Sequence, residues 1–140
     1  MNKLTVVLIL ATIISAQGME HTTTWREDIQ QAQVNLVRFE YSLYSDYEGI
    51  LVASMRNIVD NYRYHPSLKY NTIVDRLNYL IIHAESFNVR HKAYVTAMYL
   101  ENPHWFDCKQ LDQVNGERPT DDEYFTRLFS CVTVNLFSAS

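Results

Sequence analysis

The chain has 140 residues, ten of them tyrosines, and a formal net charge of -4 at neutral pH. This acidic balance argues against nucleic acid or an anionic membrane as the main partner, because both require a basic face. Two cysteines are too few for a scaffold held together by disulfides, so a hydrophobic core must supply most of the stability.

The N-terminus has the pattern of a secretory signal peptide. Lys3 precedes a continuous apolar run from Leu4 to Ala16, which is too short to cross a bilayer as a helix. Small residues at Ala16 and Gly18 suit a signal peptidase. We predict cleavage after Gly18, with cleavage after Ala16 as the second choice. This leaves 19–140 as a single secreted, extracellular domain that has no membrane partner.

The scarcity of glycine and proline predicts an all-α domain. Three glycines and three prolines are far fewer than the turns of a secreted β-sandwich require. Thr24 and Glu27 form a capping box, after which apolar residues recur at steps of three and four. That pattern continues past Gly49, which either kinks this helix or splits it into two. Pro66 ends it, because the residue before a proline is pushed out of the helical region.

The middle of the chain predicts two further helices. Ser67 is the predicted cap of the first, whose inner face runs from Ile73 to Phe87 and which we expect to be the most buried helix. A weaker break near Ser86 separates it from the next helix. The basic run Arg90-His91-Lys92 follows that break, and we predict that it is a solvated face.

The C-terminal part predicts two more helices and the disulfide. Asn102-Pro103 is typical of a helix start, and the predicted helix holds Cys108. A second capping box, Thr120 to Glu123, opens the last helix, which holds Cys131. Since these are the only two cysteines, a single pairing is possible. We therefore predict a compact all-α bundle of about five to six helices, with one disulfide joining the last two.

The sequence contains no recognisable catalytic motif, such as a Gly-x-Ser-x-Gly elbow or a His-Glu-x-x-His pair. His83, Glu85 and His91 are poorly spaced for one metal ion, and His104 with Asp107 provides only two ligands where a structural zinc site needs four. We therefore predict a protein that is not an enzyme and that needs no metal or cofactor.

Tyrosine is the more informative residue type. It offers a large contact area at low entropic cost and is enriched at protein interfaces. Five tyrosines are predicted interface residues: Tyr41, Tyr44, Tyr62, Tyr64 and Tyr70. We expect Tyr79 and Tyr124 to pack at the edge of the core instead.

These features favour a secreted binding protein that acts on another extracellular protein. The alternative is a carrier that holds a small hydrophobic ligand in a cavity between its helices, since helical bundles host such cavities. An enclosed cavity of several hundred Å³ would favour the carrier, whereas a solid core with a tyrosine-rich exterior would favour the protein binder.

The architecture also resembles a known group. The signal pattern Met1–Gly18, the helical patterns from Thr24 to Leu100, and the late cysteines Cys108 and Cys131 are similar to the small helical salivary proteins of blood-feeding insects, of the anophensin/albicin type. The resemblance implies inhibition of host complement or contact-pathway proteins. Two cysteines are fewer than we expect in that group, and no residue role can be transferred from it.

Overall fold

The computed structural model describes residues 25–108, Leu111 and 116–132. The predicted signal peptide and Thr24 lie outside the described residues. The chain divides into two units, Met1–Asn35 and Leu36–Ser140. In the first unit the described residues, 25–35, are all helical, and they form the first part of helix α1, which covers residues 25–42.

The second unit is helical along most of its described length. After the end of α1 it contains α2 (Glu48–Tyr64), α3 (Asn71–His83), α4 (Phe87–Glu101), a 3-10 helix (Pro103–Trp105) and α5 (Asp121–Ser130). The described residues therefore form five α-helices, which confirms the predicted all-α fold class.

The break between α1 and α2 resolves the question of Gly49. The chain leaves the helical conformation at Leu43 and returns to it at Glu48, so Gly49 lies inside the first turn of α2. Leu43 is fully buried, and its carbonyl oxygen accepts a hydrogen bond from Nε of Arg76 at 3.0 Å. That bond satisfies a carbonyl that the end of α1 leaves without a helical partner. The helix is split, and the split precedes the glycine.

Helix α4 is the central element of the second unit. It contacts α2, α3, α5 and the 3-10 helix, and small residues such as Ala93 and Ala97 are buried on it. The expectation that α3 is the most buried helix is wrong: its buried residues are few, Ile82 is exposed, and Phe87 begins α4 as an exposed residue. A wide apolar stripe indicates one buried face, whereas burial of α4 depends on how many neighbours surround it.

The N-terminus of α5 carries the predicted capping box. The amide of Glu123 donates to the hydroxyl of Thr120 at 3.3 Å, and the amide of Thr120 donates to the Glu123 carboxylate at 2.8 Å. The backbone bond, with a further bond from the Thr120 hydroxyl, lowers the pKa of the Glu123 carboxyl. By contrast, Ser67 does not cap α3, whose N-cap is Tyr70.

A buried arginine holds this end of α5 against α2. Nη1 of Arg56 donates to the carbonyl oxygen of Pro119 at 2.8 Å and to Oδ1 of Asp121 at 3.0 Å. Its guanidinium carbon lies 4.6 Å from the centre of the Tyr124 ring. The hydroxyl of Tyr124 in turn donates to Oδ1 of Asp60 at 2.7 Å, so α2 holds α5 through two side chains.

A buried lysine holds the same end against α4. Nζ of Lys92 donates to Oδ1 of Asn88 at 2.6 Å and pairs with Asp122. The prediction of a solvated basic face is therefore wrong for Lys92. It also fails for Arg90, which donates to the carbonyl oxygens of Ala84 and Glu85 at 2.6 and 2.9 Å, near the end of α3. Lys92 is therefore held by Asn88 on its own helix and by the distant Asp122, and Arg90 by carbonyl oxygens of the preceding connection.

The disulfide between Cys108 and Cys131 is confirmed, and it lies at the other end of α5. Cys108, however, is not on a helix: Pro103 begins a 3-10 helix that ends at Trp105, and the chain continues in a non-helical conformation. There Phe106 forms an antiparallel bridge with Val132, and the amide of Asp107 donates to the carbonyl oxygen of Cys131 at 3.0 Å. These backbone bonds replace those of the predicted helix.

Removal of the disulfide tests its share of the stability. The double variant Cys108→Ser/Cys131→Ser should lower the free energy of unfolding by about 3 kcal/mol, because opening this loop restores entropy to the unfolded chain. Urea denaturation measures the change, and reduction of the native protein should produce a similar one. Two free thiols found by mass spectrometry in the native protein would contradict the pairing.

The Lys92–Asp122 pair predicts an asymmetry between its two partners. The Lys92 side chain is 4% exposed and that of Asp122 is 82% exposed. Asp122→Asn should cost about 2 kcal/mol, because it leaves a buried ammonium with a neutral partner. Lys92→Met should cost less than about 1 kcal/mol, because water solvates the Asp122 carboxylate.

Urea denaturation of the two single variants and the double variant checks this asymmetry. In the Lys92→Met background, Asp122→Asn should lose only its helix-dipole contribution, roughly 0.3–1 kcal/mol. A cost of Lys92→Met equal to or greater than that of Asp122→Asn would contradict the argument.

Candidate functional site

Exposed aromatic and aliphatic side chains gather at the end of α1 and on α3 in the second unit. Tyr41 lies in the last turn of α1 and is 81% exposed, and Tyr44 lies two residues after the end of α1 and is 60% exposed. On α3, Tyr79 is 51% exposed and Ile82 is also exposed. We refer to these four residues, together with Arg76 of α3, as the aromatic surface.

Arg76 joins the two helices of this surface. Its guanidinium carbon lies 4.1 Å from the ring centre of Tyr44 and 4.7 Å from that of Tyr79. The Nε bond to Leu43 fixes the side chain, and the ring of His83 packs 4.3 Å from the Tyr79 ring. Among the described residues, the terminal nitrogens of Arg76 have no hydrogen-bond or ion-pair partner. A fixed guanidinium between two rings is thus available to a carboxylate.

The structure separates the predicted interface tyrosines into three places. Tyr41 and Tyr44 belong to the aromatic surface. Tyr64 is exposed at the end of α2, where its ring centre is 5.9 Å from the guanidinium carbon of Arg63. Tyr62 and Tyr70 pack edge to face with ring centres 5.0 Å apart.

Tyr70 is a structural residue, since it is only 6% exposed. Asn61 donates to its hydroxyl at 2.9 Å, and that hydroxyl donates to the carbonyl oxygen of His65 at 3.2 Å. These bonds join the end of α2 to the start of α3. Burial and these bonds favour a structural role for Tyr70 over a place in a protein interface.

Sequence reasoning missed Arg76, Tyr79 and Ile82. The prediction places Tyr79 and Tyr124 together at the core edge, whereas Tyr79 is half exposed and Tyr124 is fully buried and donates to Asp60. The spacing Arg76, Tyr79, Ile82 places all three along one side of α3, and that pattern was the available signal. The sequence also places Ile82 on a widened apolar face of α3 that we expect to be buried, so the spacing alone does not indicate an exposed surface.

An open cleft of about 420 Å³ lies where α2 ends, α3 begins and α4 ends. Its lining residues come from these three helices and from the connection between α2 and α3: Tyr62, Leu68, Tyr70, Asn71, Val74, Asp75, Leu100 and Glu101. Asn71, Asp75 and Glu101 are exposed. The cleft therefore differs from the enclosed apolar cavity that a carrier of a neutral hydrophobic ligand requires.

The histidines considered as metal ligands contact aromatic rings. His83 packs on Tyr79, and the His91 ring centre lies 6.2 Å from that of Phe87 and 5.6 Å from that of Phe129. Within residues 25–108, Leu111 and 116–132, no group of three or more His, Cys, Asp or Glu side chains could hold a metal ion. Over the same residues, no helix is both long enough and apolar enough to cross a membrane.

No protein-family model, curated protein or solved structure matches the chain. The fold and the site therefore define a class rather than a family: an all-helical protein with one disulfide, an exposed aromatic surface and an open cleft. A stable disulfide is typical of oxidising compartments outside the cytosol.

The buried tyrosine at the cleft predicts a loss of stability at high pH. Burial raises the pKa of Tyr70 from 10.0 to about 12, although the Asn61 hydrogen bond partly opposes the shift. Between pH 10 and 12 the unfolded chain loses this proton while the folded protein keeps it. The contribution of Tyr70 to the free energy of unfolding is therefore complete below pH 10 and is lost as the pH rises from 10 through 12.

Absorbance of phenolate measured for the native protein and for Tyr70→Phe checks this shift. The difference between them should show one group that titrates near pH 12, and the free energy of unfolding of Tyr70→Phe should fall less steeply over the same pH range. A Tyr70 phenol that titrates together with the exposed tyrosines would contradict the prediction.

Proposed function

We propose that the protein is a secreted, non-enzymatic binding protein that occupies a surface of another extracellular protein through its aromatic surface. The observation that supports the proposal is the placement of Arg76 between Tyr44 and Tyr79. Tyrosine and arginine are among the residue types most enriched where alanine substitution costs the most binding energy.

The arrangement is suited to binding because the Arg76 side chain is already ordered before a partner binds. Arg76 is already held by Leu43 and by two rings, so a partner does not have to immobilise a free arginine side chain. The open nitrogens of Arg76 match a carboxylate, and the flanking rings and Ile82 match apolar surface. We therefore infer a partner that presents an acidic side chain surrounded by apolar residues.

The resemblance to salivary proteins of blood-feeding insects suggests where to seek this partner. Under that proposal the target is a host protein of complement or of the contact pathway, and mammalian serum and plasma are the fluids to test first. The disulfide and the predicted signal peptide are consistent with a protein that functions in such a fluid.

Capture from plasma with matched variants tests the proposal. The immobilised chain should retain a defined protein that mass spectrometry identifies. Tyr79→Ala should then weaken the affinity for that purified protein by about 30-fold, the loss typical of a central interface residue. Tyr94→Ala is the control, because Tyr94 is 50% exposed on α4, outside the aromatic surface.

Arg76→Lys adds a second measurement, since lysine keeps the charge but loses the stacked, planar group. It should also weaken binding, and the wild type should inhibit complement or contact activation more strongly than either variant. The proposal is wrong if plasma yields no specific protein, or if Tyr79→Ala and Tyr94→Ala change the affinity equally.

One observation favours a second function, carriage of a small ligand. The open cleft has a volume within the usual range for small-molecule sites. We keep this alternative for the cleft alone, because the cleft shares no residue with the aromatic surface.

A further inference from the structure

We propose that the open cleft binds a small organic cation: a protonated amine carried on an apolar or aromatic body. The proposal rests on the second candidate function and refines it, since it replaces a neutral hydrophobic ligand by a charged one. It is independent of the aromatic surface and of any protein partner.

The first argument is charge. Asp75 of α3 and Glu101 of α4 both line the cleft and are exposed, so the cleft presents two acidic side chains. Neither side chain forms an ion pair or a hydrogen bond with another described residue. Elsewhere in the second unit, Asp121 and Asp122 are each neutralised by a buried cation. The two carboxylates of the cleft therefore remain available to an incoming cation.

The second argument is the surrounding surface. Tyr62 also lines the cleft, and its ring is fixed by edge contacts with Tyr70 and Tyr99 at 5.0 and 5.8 Å. An aromatic ring attracts a cation and packs against an apolar body, and its hydroxyl can accept a hydrogen bond from an ammonium group. Leu68 and Leu100 supply aliphatic lining for that body.

The helix termini at the cleft do not alter this balance. The C-terminal ends of α2 and α4 favour a positive charge and the N-terminal end of α3 disfavours one. Each end is equivalent to roughly half a charge, so their sum is small and does not oppose the binding of a cation. Lys69, the nearest lysine in sequence, is not among the lining residues.

The volume limits the size of the ligand. A cleft of about 420 Å³ accommodates a molecule of roughly ten to fifteen non-hydrogen atoms, near the lower end of small-molecule sites. A ligand of that size in an open cleft should bind with a dissociation constant on the order of 10–1000 µM.

Isothermal titration calorimetry with three matched probes tests the proposal on the native protein. The probes are 2-phenylethylamine, the neutral 2-phenylethanol and the anionic phenylacetate. The amine should bind at least about tenfold more tightly than the alcohol, and phenylacetate should not bind detectably. Equal binding of the amine and the alcohol, or no amine binding at all, would overturn the proposal. This comparison uses no variant, so it cannot fail through misfolding.

Charge-matched variants then assign the binding to the cleft. Asp75→Asn/Glu101→Gln should weaken amine binding at least about tenfold. The control, Asp46→Asn/Glu85→Gln, makes the same change in net charge at exposed positions outside the cleft and should leave the affinity unchanged. If both double variants weaken binding equally, the amine is attracted only by the net charge of the protein and the proposed site is wrong. Neither result depends on plasma capture, so this proposal and the protein-binding proposal fail separately.

Discussion

The acidic first turn of α5 rests against two buried cations, Arg56 from α2 and Lys92 from α4. Charged groups are buried only when hydrogen bonds and opposite charges compensate for lost hydration. Since Asp121 and Asp122 provide that compensation, the position of α5 is determined by two helices that are distant from it in sequence. The disulfide at Cys131 holds the C-terminal end of α5, so both ends of this short helix are held.

This attachment completes the core around α4. Tyr124, Phe125 and Leu128 of α5 are fully buried or nearly so, and α4 and α2 contact the helix that carries them. A ten-residue helix has little stability of its own, so its packing must stabilise it. Tyr41, Tyr44 and Tyr79 remain outside this core, since more than half of each side chain is exposed. The aromatic surface is therefore one of the apolar areas that the packing of the second unit leaves exposed.

Two surfaces of different chemistry result. The aromatic surface has an open guanidinium between rings and suits a carboxylate within apolar surroundings. The cleft has open carboxylates beside an aromatic ring and suits a cation. Because these preferences are opposite in sign and the surfaces share no residue, one protein could bind a macromolecule and a small amine independently.

The sequence by itself determined the fold class, the disulfide, the capping box at Thr120 and the exposure of Tyr41 and Tyr44. These properties depend on local spacing, on composition and on a cysteine count that allows one pairing. It did not determine the burial of Lys92, the central place of α4, the conformation around Cys108 or the role of Arg76. Each of these depends on contacts between residues far apart in the chain. Lys92 pairs with Asp122, and α4 packs against three other helices. Phe106, before Cys108, forms a bridge with Val132, and Arg76 donates to Leu43. Periodicity shows which face of a helix is apolar, but only the tertiary structure decides what, if anything, covers that face.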